Sequence, residues 1–324
     1  MTGVQTFGMH DCEFESDFVG DSLCLGPPAA DEGFQVYLGP EDHGAPEPHF
    51  ILEPGEERND FFELVSDNPE DIYFFQRQYR MRPGGHHMIL VEQNDLVPGG
   101  VVGFVAGRRL ATSQNSVRDV PPAGVVAPEN EGLAYPLRAR RPLILNLHYF
   151  NPSDRPMLIE VWLNFYYVPA EAVVREVRDI FLYGSIDFAV PPGVATTLGP
   201  YRCTATGPFR LLEMFGHRHA HAPRFSAYRI RGDVREQIYD SLDWREPAFL
   251  HFDSITQNPI AAPDHSVDGG HSGPLELQTG DALEWECPVI NDSDGVLEFS
   301  DSALGGEMCV IIGSAIGAPL HCSP

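Results

Sequence analysis

The chain has 324 residues, of which 47 are acidic and 21 are lysine or arginine, giving a net charge of −26. Such an acidic surface repels nucleic acid and anionic membrane, so neither is an expected partner. The length allows two buried cores, and no apolar run approaches the roughly twenty residues that a membrane helix requires.

The first ten residues lack the basic stretch and apolar core of an export signal. Six cysteines, an even number with no CxxC pair, nevertheless fit three disulfides in an oxidising compartment. An extracytoplasmic location, periplasmic or secreted, is therefore expected, with the export segment removed from this chain. Spacing alone leaves the connectivity open. The 29 prolines and 31 glycines punctuate the sequence densely and leave little room for long helices. Residues 1–33 are expected to be poorly structured, apart from a loop tied between Cys12 and Cys24. Short β-branched and aromatic runs then predict strands at 34–38, 72–78, 88–91, 143–149, 158–165, 180–188, 209–215, 225–230, 283–287 and 308–312. A boundary is expected at Val168-Pro169-Ala170, followed by a charged connector, 171–178, that is either one short helix or an extended crossover. Residues 259–274 read as a surface loop. The apolar run 308–320 reads as a buried final strand followed by a turn. The pattern predicts an all-β protein of two antiparallel sandwiches, residues 1–168 and 169–324.

Four short segments carry the chemistry. In His217-Arg218-His219-Ala220-His221, strand alternation turns the three imidazoles to one face, so His217 and His219 can grip one metal ion without bending the backbone. An isolated HxH is more often a solvated edge. Adjacent His86 and His87 would face opposite ways on a regular strand, so joint ligation needs a bulge or a strand end. Gly84 and Gly85 supply the backbone freedom for one. His148 sits inside an apolar strand, where a buried imidazole needs a partner. Met308 offers a soft thioether donor; beside it, Cys309 is placed to bridge to Cys287 one hairpin upstream. Imidazole and thioether together are donors that copper accepts in both common oxidation states.

The order His86-His87-Met88, then His148, then His217-x-His219 with Tyr228-Arg229 downstream, then Glu307-Met308-Cys309, resembles the copper type II, ascorbate-dependent monooxygenases. Peptidylglycine α-hydroxylating monooxygenase and dopamine β-monooxygenase belong to that family. The resemblance spans most of residues 60–322. It implies two tandem antiparallel jelly-roll-like sandwiches and two copper ions per chain, with ascorbate or a similar reductant as electron donor. His86, His87 and His148 would hold an electron-transfer copper; His217, His219 and Met308 would hold the oxygen-activating copper. Cys203 and Cys322 sit where the family's second domain closes a disulfide. His221 has no implied ligand role. Peptide-amidating members carry an arginine at the position of Phe215, and asparagine and tyrosine at those of Val310 and Ile312. Losing these three polar anchors argues against a C-terminal glycine peptide, whose carboxylate needs charged partners.

The expected activity is a dicopper monooxygenase that hydroxylates an unactivated C–H bond of a small organic substrate, with dioxygen and an external reductant. A non-catalytic copper-binding or copper-handling protein on the same scaffold is the alternative. A cytosolic sandwich whose histidines take zinc incidentally is a third reading; it predicts free thiols.

Overall fold

The computed structural model describes residues 6–7, 12–66, 68–93, 107–120, 132–252 and 274–323. The chain forms two compact units, Met1–Val177 and Arg178–Pro324. The division thus falls beyond the expected boundary at Val168-Pro169. Residues 169–177 stay with the first unit because Val174 and Arg175 donate backbone hydrogen bonds to Gly132 O, and Val177 donates to Ala134 O.

The strands of the first unit are β1 (Thr6–Phe7), β2 (Gly33–Leu38), β3 (Ile51–Leu52), β4 (Glu57–Val65), β5 (Ile72–Met81), β6 (Gly85–Glu92), β7 (Arg108–Ser113), β8 (Val117–Val120), β9 (Leu133–Leu137), β10 (Pro142–Phe150), β11 (Met157–Leu158), β12 (Val161–Tyr167) and β13 (Arg175–Glu176). A larger sheet runs β1-β2-β12-β5-β9-β13, with β8 also on β5, and a second runs β4-β10-β6-β7. Antiparallel pairing prevails; the connector after Val168 opens with a single 3-10 turn, Ala170–Ala172, and then runs extended as β13, which joins β9 in parallel. Strand β10 (Pro-Leu-Ile-Leu-Asn-Leu-His-Tyr-Phe) is a central strand between β4 and β6, and its residues 143–149 are buried on both faces. Its Tyr149 points to the larger sheet, where the hydroxyl donates to Glu160 O at 2.8 Å. Alternation therefore gives His148 the opposite face.

The second unit holds β14 (Arg178–Tyr183), β15 (Ala189–Val190), β16 (Ala195–Ala205), β17 (Phe209–Arg218), β18 (Phe225–Arg231), β19 (Val234–Ser241), β20 (Leu250–His251), β21 (Leu275–Leu277), β22 (Ala282–Ile290), β23 (Leu297–Glu298), β24 (Cys309–Gly317) and β25 (Leu320–Ser323). One sheet runs β14-β24-β17-β20 with β21 also on β17; the other runs β19-β18-β22-β16-β25. The two sheets of this unit face each other through Met214, Gly216, Arg218 and Cys309. A Cβ on Gly216 would meet the Phe225 ring at 2.3 Å, so only glycine fits between the layers there. The Cys287–Cys309 disulfide joins β22 to β24, and Trp285 Nε1 donates to Cys309 O at 3.0 Å.

Three disulfides form, Cys12–Cys24, Cys203–Cys322 and Cys287–Cys309. They fit an oxidising compartment. No helix among the described residues is long and apolar enough to cross a membrane. Some boundaries differ from expectation. The strand expected over 180–188 ends at Tyr183, and the chain resumes extended structure only at Ala189. Met308 lies just before β24, and the apolar run ends in a turn that returns the chain as β25. Residues 259–273 of the expected loop lie outside the described residues.

Candidate metal centre

The first cluster depends on a turn and a bulge. Arg82-Pro83-Gly84-Gly85 closes with Gly85 N donating to Arg82 O at 3.2 Å, and Gly84 adopts φ +93°. Proline followed by a residue of positive φ makes this a type II-like turn, and glycine tolerates the second position without strain. The turn carries the chain from β5 into β6. There His87 pairs with His148 while Tyr149 pairs with Gly85, so His86 is the extra residue of a β-bulge. The expected need for a bulge at this pair is met by that irregularity. It brings both histidines toward His148.

The three rings form a compact triangle. Ring centroids lie 5.4 Å apart for His86–His87 and 5.0 Å for both His86–His148 and His87–His148. All three are buried. Asn146, two residues before His148 and on the same face, sets the proton on His87. Its amide nitrogen donates to Asn59 Oδ1 and Asp60 O, so its oxygen faces His87 Nε2 at 3.0 Å. His87 Nε2 is therefore the protonated nitrogen, and the ring lone pair sits on Nδ1. At His148 the same outcome is reached through Glu57, whose Oε1 accepts from Nε2 at 2.8 Å. His148 Nδ1 is buried with no hydrogen-bond partner among the described residues. A buried lone pair left without a partner costs about 1–3 kcal/mol, a cost that a coordinated metal ion removes.

In the second unit, β17 and β24 pair with His217 opposite Val310 and Arg218 opposite Cys309. The next step of that register brings Met308 beside His219. His217 and His219 share a face, with ring centroids 5.3 Å apart, and both are buried. Between them Arg218 points to the opposite face, and its Nε donates to Ala222 O, in the loop before β18, at 2.8 Å. Glu307 links the segments that carry His219 and Met308. Its Oε1 accepts the His219 N–H at 2.6 Å and the Met308 N–H at 2.9 Å. Burial pushes this carboxyl up to about 7, although the two backbone donors pull the other way. His219 Nδ1 stands 3.3 Å from Gly306 O, an acceptor that favours the tautomer with its lone pair on Nε2.

His221 turns away from this pair. Its Nδ1 meets Asp292 Oδ1 and its Nε2 meets Leu304 O, both at 2.9 Å, so both nitrogens are turned to acceptor oxygens. The ring ties two loops together. Tyr228 and Arg229 lie on β18 in the other sheet, where the Arg235 guanidinium stacks 3.2 Å from the Tyr228 ring centroid. Phe215, Val310 and Ile312 do come together: Phe215 pairs with Ile312, and Val310 with His217, making an apolar border to the histidine pair. Sequence reasoning singled out the candidate histidines and Met308 but gave no role to Glu57, Asn146 and Glu307, which hydrogen-bond to them. Only Glu307, adjoining Met308, had a local signal; Glu57 reaches His148 through the β4–β10 pairing alone.

No protein-family model and no curated protein matches the chain. Among solved structures it is similar to a recombinant peptide:N-glycanase F, with 9% identity over 88% of this chain and 95% of that one, at a TM-score of 0.31. A truncated alginate lyase with a carbohydrate-binding domain aligns with 8% identity over 83% and 94%, at a TM-score of 0.18. At these scores neither alignment bears on the chemistry.

Proposed function

We propose that the chain is a dicopper monooxygenase of the copper type II, ascorbate-dependent kind, extracytoplasmic, with a jelly-roll-like sandwich for each copper. The observation that carries this reading is the triangle of His86, His87 and His148, whose ring centroids lie 5.0–5.4 Å apart. The proton placement at His87 and His148 supports it, because it leaves Nδ1 as the donor atom. His86, His87 and His148 would hold the electron-transfer copper. His217, His219 and Met308 would hold the oxygen-activating one, a mixed imidazole–thioether set suited to Cu(I).

Copper in both sites would supply two single electrons and the affinity for dioxygen that hydroxylation needs. The chain does the rest. Glu57 and Asn146 keep protons on the Nε2 atoms and orient the rings. Glu307 holds the backbones of His219 and Met308 in one frame. Phe215, Val310 and Ile312 exclude water beside His217 and offer no partner to a substrate carboxylate, which disfavours a C-terminal glycine peptide. In the balanced reaction one oxygen atom enters a C–H bond and the other leaves as water. Two electrons and two protons come from ascorbate or a similar external reductant.

The same loss of polar anchors favours the alternative, a copper-binding or copper-handling protein without hydroxylation. One experiment separates them: the copper-loaded protein is supplied with ascorbate and ¹⁸O₂ over a panel of small organic molecules. An ¹⁸O-labelled alcohol formed in proportion to oxygen consumed supports the monooxygenase. Peroxide release that no organic additive changes supports copper handling.

A further inference from the structure

His86 is the least determined of the three histidines in the first cluster. As the extra residue of a bulge it has no residue opposite it on β10, and it follows two glycines, Gly84 and Gly85. Its direction therefore depends on how firmly the Arg82-Pro83-Gly84-Gly85 turn is held. The fixed points of that turn lie outside β6.

Glu160, which immediately precedes β12, is the first of them. Its main-chain oxygen accepts the Arg82 N–H at 3.0 Å and the Tyr149 hydroxyl at 2.8 Å. One carbonyl thus ties the start of the turn to the residue after His148. The Glu160 side chain is fully buried, and its Oε2 accepts from Arg82 Nε at 2.6 Å. Its Oε1 accepts from the Tyr37 hydroxyl at 2.6 Å and meets His43 Nε2 at 2.7 Å. At the far end of the turn, Phe150 N donates to Gly84 O at 2.8 Å.

The second fixed point comes from the loop closed by Cys12–Cys24. Asp21 Oδ1 meets Arg82 Nη1 at 2.7 Å, and Val19 O accepts from the same nitrogen at 3.1 Å. Within the loop, Ser16 donates to both Asp21 oxygens, from its amide at 2.8 Å and from its hydroxyl at 2.6 Å. The loop itself therefore aims the carboxylate. Gly20 packs against the turn: a Cβ there would meet Pro83 Cδ at 2.7 Å. Phe14 stacks on the His43 ring with centroids 3.5 Å apart. The fully buried Arg82 guanidinium is thus shared by two carboxylates, one from the core and one from the loop. A buried guanidinium needs such pairing, and its rigid fork holds the two acceptors in fixed directions.

We propose that Asp21, Arg82 and Glu160 are positioning residues of the first metal site, and that the Cys12–Cys24 loop braces the turn before His86. This rests on the reading of His86, His87 and His148 as metal ligands. The three residues act through the backbone on which the rings stand. Asp21 lies at the margin of the network, so replacing it spares the core pair Arg82–Glu160.

The test reads metal-free and copper-loaded protein in parallel. In the metal-free protein, hydrogen exchange at the Phe150 amide reports the turn through its bond to Gly84 O. Asp21→Ala is expected to speed that exchange about tenfold. In a chelator competition titration it is expected to weaken the copper step of the first unit about tenfold and to leave the other unmoved. Asp21→Glu, which keeps a carboxylate, is expected to restore most of both. The double variant Cys12→Ser, Cys24→Ser is expected to behave as Asp21→Ala does. Unchanged Phe150 exchange, a first copper step that does not move, or equal weakening of both steps as general instability would give, would overturn the proposal. If the wild-type first unit takes no copper, the reading of its ligands falls. Faster Phe150 exchange in Asp21→Ala would then still establish the brace on the turn, and unchanged exchange would remove it as well.

Discussion

Glu307 accepts the backbone N–H of His219 at 2.6 Å through the oxygen that also takes the Met308 N–H at 2.9 Å. One carboxylate oxygen thus fixes the spacing of the end of β17 and the start of β24, the two segments that present the imidazole and the thioether. The other oxygen is buried with no hydrogen-bond partner among the described residues. The carboxylate is therefore kept for its acceptor role and adds little as an ion pair.

Glu307→Gln keeps an acceptor in that position and is expected to retain copper at the second site. Glu307→Ala removes it and is expected to weaken that site by about 10–100-fold, the usual consequence of losing a ligand's support. A chelator competition titration that resolves two binding steps checks both. The step assigned to the first unit should not move.

Glu57 plays the matching part in the first unit, through its 2.8 Å contact with His148 Nε2. Glu57→Ala frees that ring to rotate and to change tautomer. It is expected to lower copper affinity of the first site by about tenfold or more and to leave the second unchanged. The same titration reads it. Equal weakening of both steps would show that Glu57 acts through general stability instead.

The Cys287–Cys309 bridge closes a loop across the sandwich with a sequence separation of 22. Replacing both cysteines with alanine is expected to cost about 3 kcal/mol through the freer unfolded chain. Denaturant unfolding of the metal-free protein measures it. Because Cys309 adjoins Met308, the second copper site is expected to weaken together with the fold, and the first to survive.

Acid sensitivity has a local source in the second unit. Burial alone would raise the Glu284 carboxyl, but hydrogen bonds and charge from Arg202 and Arg235 outweigh it and hold the group below its ordinary 4.5. The folded state thus binds this proton less readily than the unfolded chain. The stabilisation is complete above about 4.5 and is lost as pH falls through the depressed folded value. Glu284→Gln is expected to lower Tm at neutral pH and to converge with wild type in acid. Parallel Tm curves across the whole range would contradict this.

Much of the fold is legible in the sequence because its central strands are β-branched and aromatic runs set between turn residues. Residues 143–149 and 158–165 read as strands for that reason, and β10 and β12 cover most of them. The polar edge strands do not announce themselves. Glu-Arg-Asn-Asp-Phe-Phe-Glu-Leu-Val of β4 is half-exposed at the margin of its sheet, so no alternation survives to betray it. The bulge at His86 was foreseeable from two adjacent histidines after two glycines. The turn of His221 toward Asp292 and Leu304 was not, because alternation would have kept it beside His219. The strand ends at Arg218, and the chain turns before His221. The supports Glu57 and Asn146 depend on register across strands, which a single sequence does not reveal.

Copper atoms per chain at saturation, counted on the purified protein together with Met308→Ala and His148→Ala, test the central claim most directly. The wild type should hold two. Met308→Ala should keep the copper of the first unit and lose the sulfur scatterer from the Cu(I) X-ray absorption spectrum, while His148→Ala should keep the copper and the sulfur signal of the second. A wild-type chain that saturates at zero or one copper, or a sulfur signal that survives Met308→Ala, would contradict the account.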